Sequence, residues 1–205
     1  MRRAMVVLAL ALPVLILLFS FKMYVFNVDF YKSEFAKHDT YEQFPEADSA
    51  LANLIGYMQA GVDLDSDTYT EREILHMRDV KRIVWGCIYA LDMIFIAALI
   101  LLIIMLARHD YSAISASLLA SGAVSFVIAL LAVTFSMLSF ADLFALFHQM
   151  AFTNDLWLLP PESALIRMFP EQFFYDIVKA MLINSMYLSM FLAAVGLGAR
   201  YVAKE

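Results

Sequence analysis

The sequence has few of the residues that mark disulfide-linked, soluble or nucleic-acid-binding proteins. Its single cysteine, Cys87, excludes an internal disulfide framework. Charged residues are 17% of the 205 residues, against roughly 25% in soluble proteins. The net charge is −6 and there is no basic run, which argues against nucleic acid as a partner. Glycine occurs only 6 times, so collagen-like and glycine-rich flexible chains are excluded as well.

Apolar residues, in contrast, are abundant. They make up 63% of the chain, against roughly 45–50% in soluble proteins, and include 17 Phe and 13 Met. The mean hydropathy is +0.75. Cys87 lies within an apolar run, so we predict that it is a small buried side chain. This composition is typical of an integral membrane protein.

Four apolar stretches are long enough to cross a bilayer, which takes about 20 residues. They predict spans at about 4–26, 83–107, 112–138 and 177–199, within a single domain of residues 1–205. The first stretch follows Arg2 and Arg3, but it is too long for a signal peptide and lacks a small-residue cleavage site, so we expect it to be retained. The predicted fold is an all-α bundle of four transmembrane helices with a helical extracytoplasmic cap, formed by segments 27–82 and 139–176.

Basic residues near the span ends predict the orientation of the chain. Five of them lie on one side, in short tails and a tight turn: Arg2, Arg3, Arg108, Arg200 and Lys204. Three at the start of the second span argue the other way: Arg78, Lys81 and Arg82. Residues 27–70 carry nine acids and two lysines, which suits an outer surface. The density of positive charge predicts that both termini of this membrane protein lie in the cytoplasm.

The first outer segment contains two helical patterns. Apolar residues recur at spacings of three and four from Ala47 to Met58, which predicts an amphipathic helix ended by Gly61. Thr70 and Glu73 form a capping box, and the helix that starts there is expected to run into the second span. His76 on this helix would lie about 10 Å outside the hydrocarbon boundary, at the depth of the lipid glycerol.

Between these helices, the acidic run from Asp63 to Asp67 resembles the start of a calcium loop. The sixth and twelfth positions, which an EF-hand fills with Gly and Glu, are Thr68 and Ile74. A solvated acidic turn is therefore the favoured interpretation.

The second outer segment places another histidine at the same depth. An apolar helical stripe runs from Phe140 to Ala151 with His148 at its border, and two prolines follow it. Trp157 suits the membrane interface, and Pro170 can open the last helix after a short turn. His76 and His148 are thus expected near one another.

Several interpretations of the ionisable residues remain open at this point. A histidine beside an apolar face is commonly a hydrogen-bonded structural residue, and neither His38, in a polar loop, nor His109, in a turn, is assigned a role. A zinc site could use two histidines and two carboxylates: His76, Asp79, His148 and Asp155. Asp92, inside the second span, is predicted to be buried, with either a functional or a structural role.

Two stretches resemble those of a known family. The segments EILHMRDVK (residues 73–81) and FHQMAFTNDLWLLP (residues 147–160) are similar to motifs of the lipoprotein intramolecular transacylases, although Pro161 intervenes before Glu162. These are four-span bacterial membrane proteins associated with Gram-positive bacteria. The resemblance implies an acyltransferase that moves the sn-2 acyl chain of a diacylglyceryl-modified cysteine onto the α-amine of that cysteine, giving the lyso-form lipoprotein.

The resemblance also implies a site at the extracytoplasmic leaflet. His76 and His148 would take a proton from the amine, whose pKa is about 7.7–8, and return one to the departing glyceryl oxygen. Donors for the oxyanion could be Arg72, Arg78 or Asn154, while Asp79 could orient an imidazole and Trp157 could contact substrate.

The expected partners are diacylglyceryl-modified lipoproteins and membrane lipids, with no cofactor, metal or nucleic acid. Two hypotheses of other classes stand beside this one. The chain could be a non-catalytic membrane module that binds a partner or a metal, or a metal-dependent membrane hydrolase.

Overall fold

A computed structural model describes residues 2–203, which form nine α-helices and no β-strand. In chain order they are α1 (Arg2–Val25), α2 (Val28–Lys37), α3 (Thr40–Gln43), α4 (Ala47–Ala60), α5 (Glu71–Ala107), α6 (Tyr111–Leu138), α7 (Phe140–Ala151), α8 (Ala164–Met168) and α9 (Glu171–Val202). The predicted all-α class is confirmed.

Four of these helices, α1, α5, α6 and α9, are long and apolar enough to cross a membrane. The structure confirms the helix predicted to start after Thr70 and run on through the second apolar stretch, since α5 has 37 residues without a break. Lys204, one of the basic residues counted for orientation, lies outside the described residues.

The chain divides into two compact units, of which the first comprises residues 2–23, 87–137 and 179–203. Its core is formed by apolar side chains of α1, α5 and α6: Leu8, Leu15, Leu91, Ala98, Met105, Ile114 and Leu118. Small residues bring α6 and α9 together, because a Cβ on Gly122 would lie only 2.8 Å from the carbonyl oxygen of Ser189. The hydroxyl of Ser115 donates to the carbonyl of Gly196 at 2.8 Å. Close backbone approach of this kind is how helices associate in lipid, where the hydrophobic effect contributes little.

Two predictions about the apolar stretches are wrong. Asp92 is not buried, because 56% of its side chain is exposed, and it pairs with Lys22 of α1 at 3.7 Å. Because Lys22 and Asp92 form an ion pair between neighbouring helices, their charges compensate each other and Asp92 does not need to lie in the helix core. Cys87 is only half-buried.

The second unit comprises residues 24–86 and 138–178. Its core is aromatic: the ring of Phe35 on α2 lies 5.6 Å from that of Phe169 and 6.1 Å from that of Phe173. The amphipathic helix predicted from Ala47 is α4, which buries its apolar face and ends at Gly61, whose φ of +73° is a conformation that favours glycine.

The second unit contains more helix than the sequence pattern indicated. The structure has α2 and α3 in a stretch where no helix was predicted, and α8 where only a turn was predicted. Pro170 precedes α9 rather than forming its first residue. The short helix α8 depends on a distant contact, since the amide of its Leu165 donates to the carboxylate of Glu73 at 2.8 Å. Local sequence does not reveal such a contact.

Candidate active site

The start of α5 is fixed by a buried carboxylate. Glu73 is fully buried, and its Oε2 accepts from the amide of Thr70 at 2.9 Å and from the hydroxyl of Thr70 at 2.8 Å. This is the predicted capping box. Its other oxygen binds the start of α8, so Glu73 satisfies donors at two helix N-termini. His76 follows one turn later on the helix that Glu73 holds in place.

His76 is buried without a partner for one of its nitrogens. Only 8% of the residue is exposed, and its Nδ1 has no hydrogen-bond partner among the described residues. Buried polar atoms are normally paired, so an orphaned nitrogen is typical of a functional site. The ring packs against Phe152, with the two centroids 5.0 Å apart.

His148 on α7 is buried as well, and its orientation is fixed by its own helix. Its Nδ1 lies 2.8 Å from the carbonyl oxygen of Phe144, one turn earlier. Since a carbonyl only accepts, Nδ1 carries the proton in the neutral ring, and Nε2 presents a lone pair. The rings of Phe144 and Trp157 lie 4.3 Å and 5.1 Å from that of His148.

The two histidines come together, as their predicted depth suggested. Their ring centroids are 6.3 Å apart, and the planes are inclined by only 27°. Phe152 contacts both rings, with centroids at 5.0 Å and 5.6 Å, although no sequence pattern marks this residue. The pair therefore lies among aromatic rings, an environment that disfavours charge.

This environment lowers the pKa of both imidazoles. Burial, followed by the nearby His148, lowers the pKa of His76 to about 4, and Asp79 opposes the shift. Burial also lowers the pKa of His148, opposed by its hydrogen bond to Phe144. His76 precedes the apolar run that begins at residue 83, so these shifts arise from protein burial. Both rings are neutral at physiological pH and able to accept a proton.

The remaining predicted residues hold the segment after α7 against α5. The amide nitrogen of Asn154 donates to Asp79 at 2.9 Å, and Arg82 lies 3.4 Å from the other carboxylate oxygen. Arg72 donates to the backbone carbonyl of Asp155. Arg78 is exposed. Asp79 thus orients Asn154 rather than an imidazole, and its influence on His76 is electrostatic.

The apolar stripe of α7 is packed on one side only. Phe144 is half-buried, whereas Leu143, Phe147 and Met150 are 39%, 53% and 79% exposed. The buried face of the helix is therefore the one that carries His148, not the centre of the predicted stripe.

The zinc quartet considered in the sequence is not gathered at one point. Among the described residues, the three potential metal ligands within 4.8 Å of one another are Glu34, His38 and Asp176. His38 is accordingly not an isolated loop residue, since it caps the C-terminus of α2. Sequence spacing does not reveal this second cluster, because Asp176 lies 138 residues from His38 along the chain.

Comparison with known proteins shows which family the sequence of this chain matches. Residues 6–174 match the family model of the lipoprotein intramolecular transacylase Lit. An uncharacterized protein of Aquifex aeolicus (strain VF5) is 30% identical over 111 residues, which are 53% of this chain and 47% of that protein. The chain thus aligns with about half the length of this curated relative.

Solved structures share the fold. The in meso structure of Lit from Bacillus cereus superposes with a TM-score of 0.85 over 99% of this chain and 95% of that one, at 23% identity. A form of the same protein with a histidine-to-alanine mutation gives a TM-score of 0.80 over 99% and 93% of the chains, at 22% identity.

Proposed function

The chain belongs to the lipoprotein intramolecular transacylase family, and from this premise we propose that it moves an acyl chain within a bacterial lipoprotein. The substrate is the diacylglyceryl-modified N-terminal cysteine, and the product is the lyso form. The observation that supports this activity most directly is the pair of buried, neutral histidines whose ring centroids lie 6.3 Å apart.

The reaction is an isomerisation that needs no second substrate. The α-amine attacks the carbonyl carbon of the sn-2 ester, an N–C bond forms, and the bond from that carbon to the glyceryl oxygen breaks. One proton leaves the nitrogen, and one reaches the glyceryl oxygen. Amine and ester belong to one molecule, so holding them in contact supplies a large part of the rate enhancement.

The histidines can carry the proton across this reaction. We propose that the Nε2 lone pair of His148, whose ring is oriented by the Nδ1–H bond to Phe144, accepts the amine proton. A protonated imidazole in this aromatic environment is a ready donor, because burial favours the neutral ring. The pair would return the proton to the departing glyceryl oxygen.

The other predicted residues fit supporting roles. Arg72 and Asn154 are held by Asp155 and Asp79, so they define the shape of the site as well as offering N–H groups. Arg78 is exposed, and its guanidinium would stabilise a developing oxyanion. Trp157, whose ring packs on His148, offers an apolar surface for an acyl chain.

The proposed location of the chemistry is the outer leaflet of the plasma membrane. A diacylglyceryl lipoprotein and the surrounding lipids present their esters at glycerol depth. His76 lies seven residues before Ile83, about 10 Å along the helix axis. Both termini would then face the cytoplasm.

Mass spectrometry of an N-terminal lipopeptide tests the activity. The chain and its variants are expressed in a host that lacks lipoprotein N-acylation. Acyl migration leaves the total mass unchanged, so fragment ions must show a chain on the cysteine nitrogen. We expect the native chain to form this product. In His76→Ala and in His148→Ala the amount of product should fall by 100-fold or more.

His109→Asn is the matched control, since His109 lies in the exposed turn between α5 and α6 and Asn tolerates its φ of +54°. This variant should form the product at the native level. Full activity in both His76→Ala and His148→Ala, with each protein present in the membrane, would contradict the mechanism. An unchanged diacylglyceryl pattern with the native chain would contradict the activity itself.

A further inference from the structure

A second cluster of ionisable groups, which shares no residue with the histidine pair, lies where α2 meets the start of α9. The Nε2 atom of His38 is 3.2 Å from Oε2 of Glu34 and 2.9 Å from Oδ2 of Asp176. All three atoms lie within 4.8 Å of one another. Asp176 is 138 residues from His38 along the chain, so the fold itself brings it to the pair on α2.

The three groups are held in place by local structure. Glu34 and His38 are one helical turn apart, and His38 ends α2 with its amide bonded to the carbonyl of Glu34. Their side chains are only 10% and 17% exposed, and that of Asp176 is 17% exposed. Shielding two carboxylates and an imidazole from water in this way costs free energy of folding unless a nearby cation compensates the negative charge.

The donor set suits zinc. Imidazole nitrogen and carboxylate oxygen both bind Zn²⁺ at about 2.0–2.2 Å, and the donors of a tetrahedral site then lie about 3.3 Å apart. The observed separations of 2.9 Å and 3.2 Å are close to that value. One nitrogen and two oxygens leave a fourth position for water, and their net charge of −2 matches a divalent ion.

The ammonium of Lys37 would compete with a metal ion for this site. Its ammonium lies 2.6 Å from Oδ2 of Asp176 and 3.1 Å from Oε2 of Glu34, the same two oxygens that an ion would use. The ammonium and a metal therefore exclude each other. The Lys37 side chain is 51% exposed and stands at the C-terminal end of α2, where a displaced ammonium remains favourable in water.

We propose that Glu34, His38 and Asp176 bind one zinc ion that displaces the Lys37 ammonium and ties α2 to α9. Zinc in this place would stabilise the second unit without taking part in acyl transfer. The site shares no residue with the histidine pair, and its test does not depend on the proposed function.

The experiment uses the full-length protein, purified in detergent and stripped with a chelator. Zinc is added alone, and binding is followed by calorimetry, elemental analysis and thermal unfolding. We expect one zinc ion per chain and a melting temperature that rises with zinc. His38→Gln and Asp176→Asn should lose both effects.

Lys37→Met keeps all three ligands and removes only the competitor. We expect it to bind zinc roughly tenfold more tightly, as an ammonium with two ion-pair contacts no longer has to be displaced. Lys32→Met is the matched control, since Lys32 lies on the same helix and pairs with Asp48 instead. Its affinity should equal that of the native chain.

Two results would overturn the proposal. One is the absence of stoichiometric zinc in both the native chain and Lys37→Met. The other is zinc that persists in His38→Gln but disappears in a His76→Ala, His148→Ala double variant, since the ion would then belong to the histidine pair.

Discussion

Burial determines the charge of His76, and the charge of His76 determines what it can do. An imidazole in water has a pKa near 6.5 and is partly protonated at neutral pH. Among the rings of Phe152 and His148 the pKa falls to about 4, so the ring is neutral whenever the protein is folded near pH 7. The cost of this arrangement is that the folded protein resists protonation that the unfolded chain accepts.

The pH dependence of stability follows from that difference. Between pH 6.5 and pH 4 the unfolded chain binds a proton at His76 that the folded protein does not, so stability falls as the pH is lowered through this window. The decrease in the free energy of unfolding that His76 causes should reach about 2 kcal/mol at pH 5 and disappear above pH 6.5. The asparagine in His76→Asn cannot titrate. Between pH 7.5 and pH 5 we therefore expect the free energy of unfolding of this variant to fall by about 2 kcal/mol less than that of the native chain.

Unfolding in detergent at the two pH values measures this effect, and His109→Asn serves as control. His109 lies in an exposed turn, where Asn tolerates the φ of +54°. This control should keep the pH dependence of the native chain. Equal pH dependence in His76→Asn and the native chain would mean that His76 is not shielded as the structure indicates.

At the residue scale, sequence spacing could predict the pair but not its surroundings. His76 and His148 are each placed by a helix and a span boundary, which periodicity reveals. The contacts of Phe152 with both rings, and the hydrogen bond by which Asp79 orients Asn154, depend on how α5 meets the segment after α7. The spacing of residues within one helix cannot predict such contacts between distant segments. For the same reason it cannot predict the contact between His38 and Asp176.

At the scale of elements, Glu73 joins two helices that are distant in the chain. Its carboxylate accepts three hydrogen bonds, from the amide and hydroxyl of Thr70 and from the amide of Leu165. Two of these donors belong to helix N-termini, where a negative charge is favourable. Since the residue is fully buried, water cannot replace the carboxylate if it is removed.

Glu73→Ala should therefore destabilise the protein by about 3 kcal/mol or more, because donors at the starts of α5 and α8 are left unpaired in the interior. Glu71→Ala is the control, since Glu71 lies in the same turn but is exposed, and its effect should stay within about 0.5 kcal/mol. Unfolding in detergent compares the two variants. A similar small effect of both would show that the carboxylate does not hold α8 in place.

The helices that sequence could predict are those whose stability is local or compositional. The four long helices follow from apolar length, and α4 follows from its stripe and Gly61. In contrast, α2 is held by packing of Phe35 on Phe169 and Phe173, and α8 by Glu73. Their formation depends on partners from another part of the chain, so local pattern underestimates them.

At the scale of the whole molecule, the distribution of charge decides which way four apolar helices cross the membrane. The positive-inside rule favours the cytoplasmic side for the helix ends and the turn that carry Arg2, Arg3, Arg108 and Arg200. The opposite orientation is favoured by three basic residues before the second apolar stretch: Arg78, Lys81 and Arg82. Lys81 is engaged inside the second unit, where its ammonium donates to the carbonyl of Tyr57 and lies 4.2 Å from the ring centre of that residue. Asp79 partly compensates Arg82.

Cysteine labelling tests the orientation. In a Cys87→Ser background, Ser66→Cys marks the first long segment, and Ser112→Cys marks the start of α6, next to the turn that carries Arg108. Both serines are exposed, and the substitutions change little in size. With a membrane-impermeant maleimide on intact spheroplasts, we expect Ser66→Cys to be labelled at once and Ser112→Cys only after the membrane is opened. The reverse pattern would place the first long segment in the cytoplasm. The histidine pair belongs to the same compact unit as that segment, so it would then be remote from the outer leaflet where a lipoprotein is anchored.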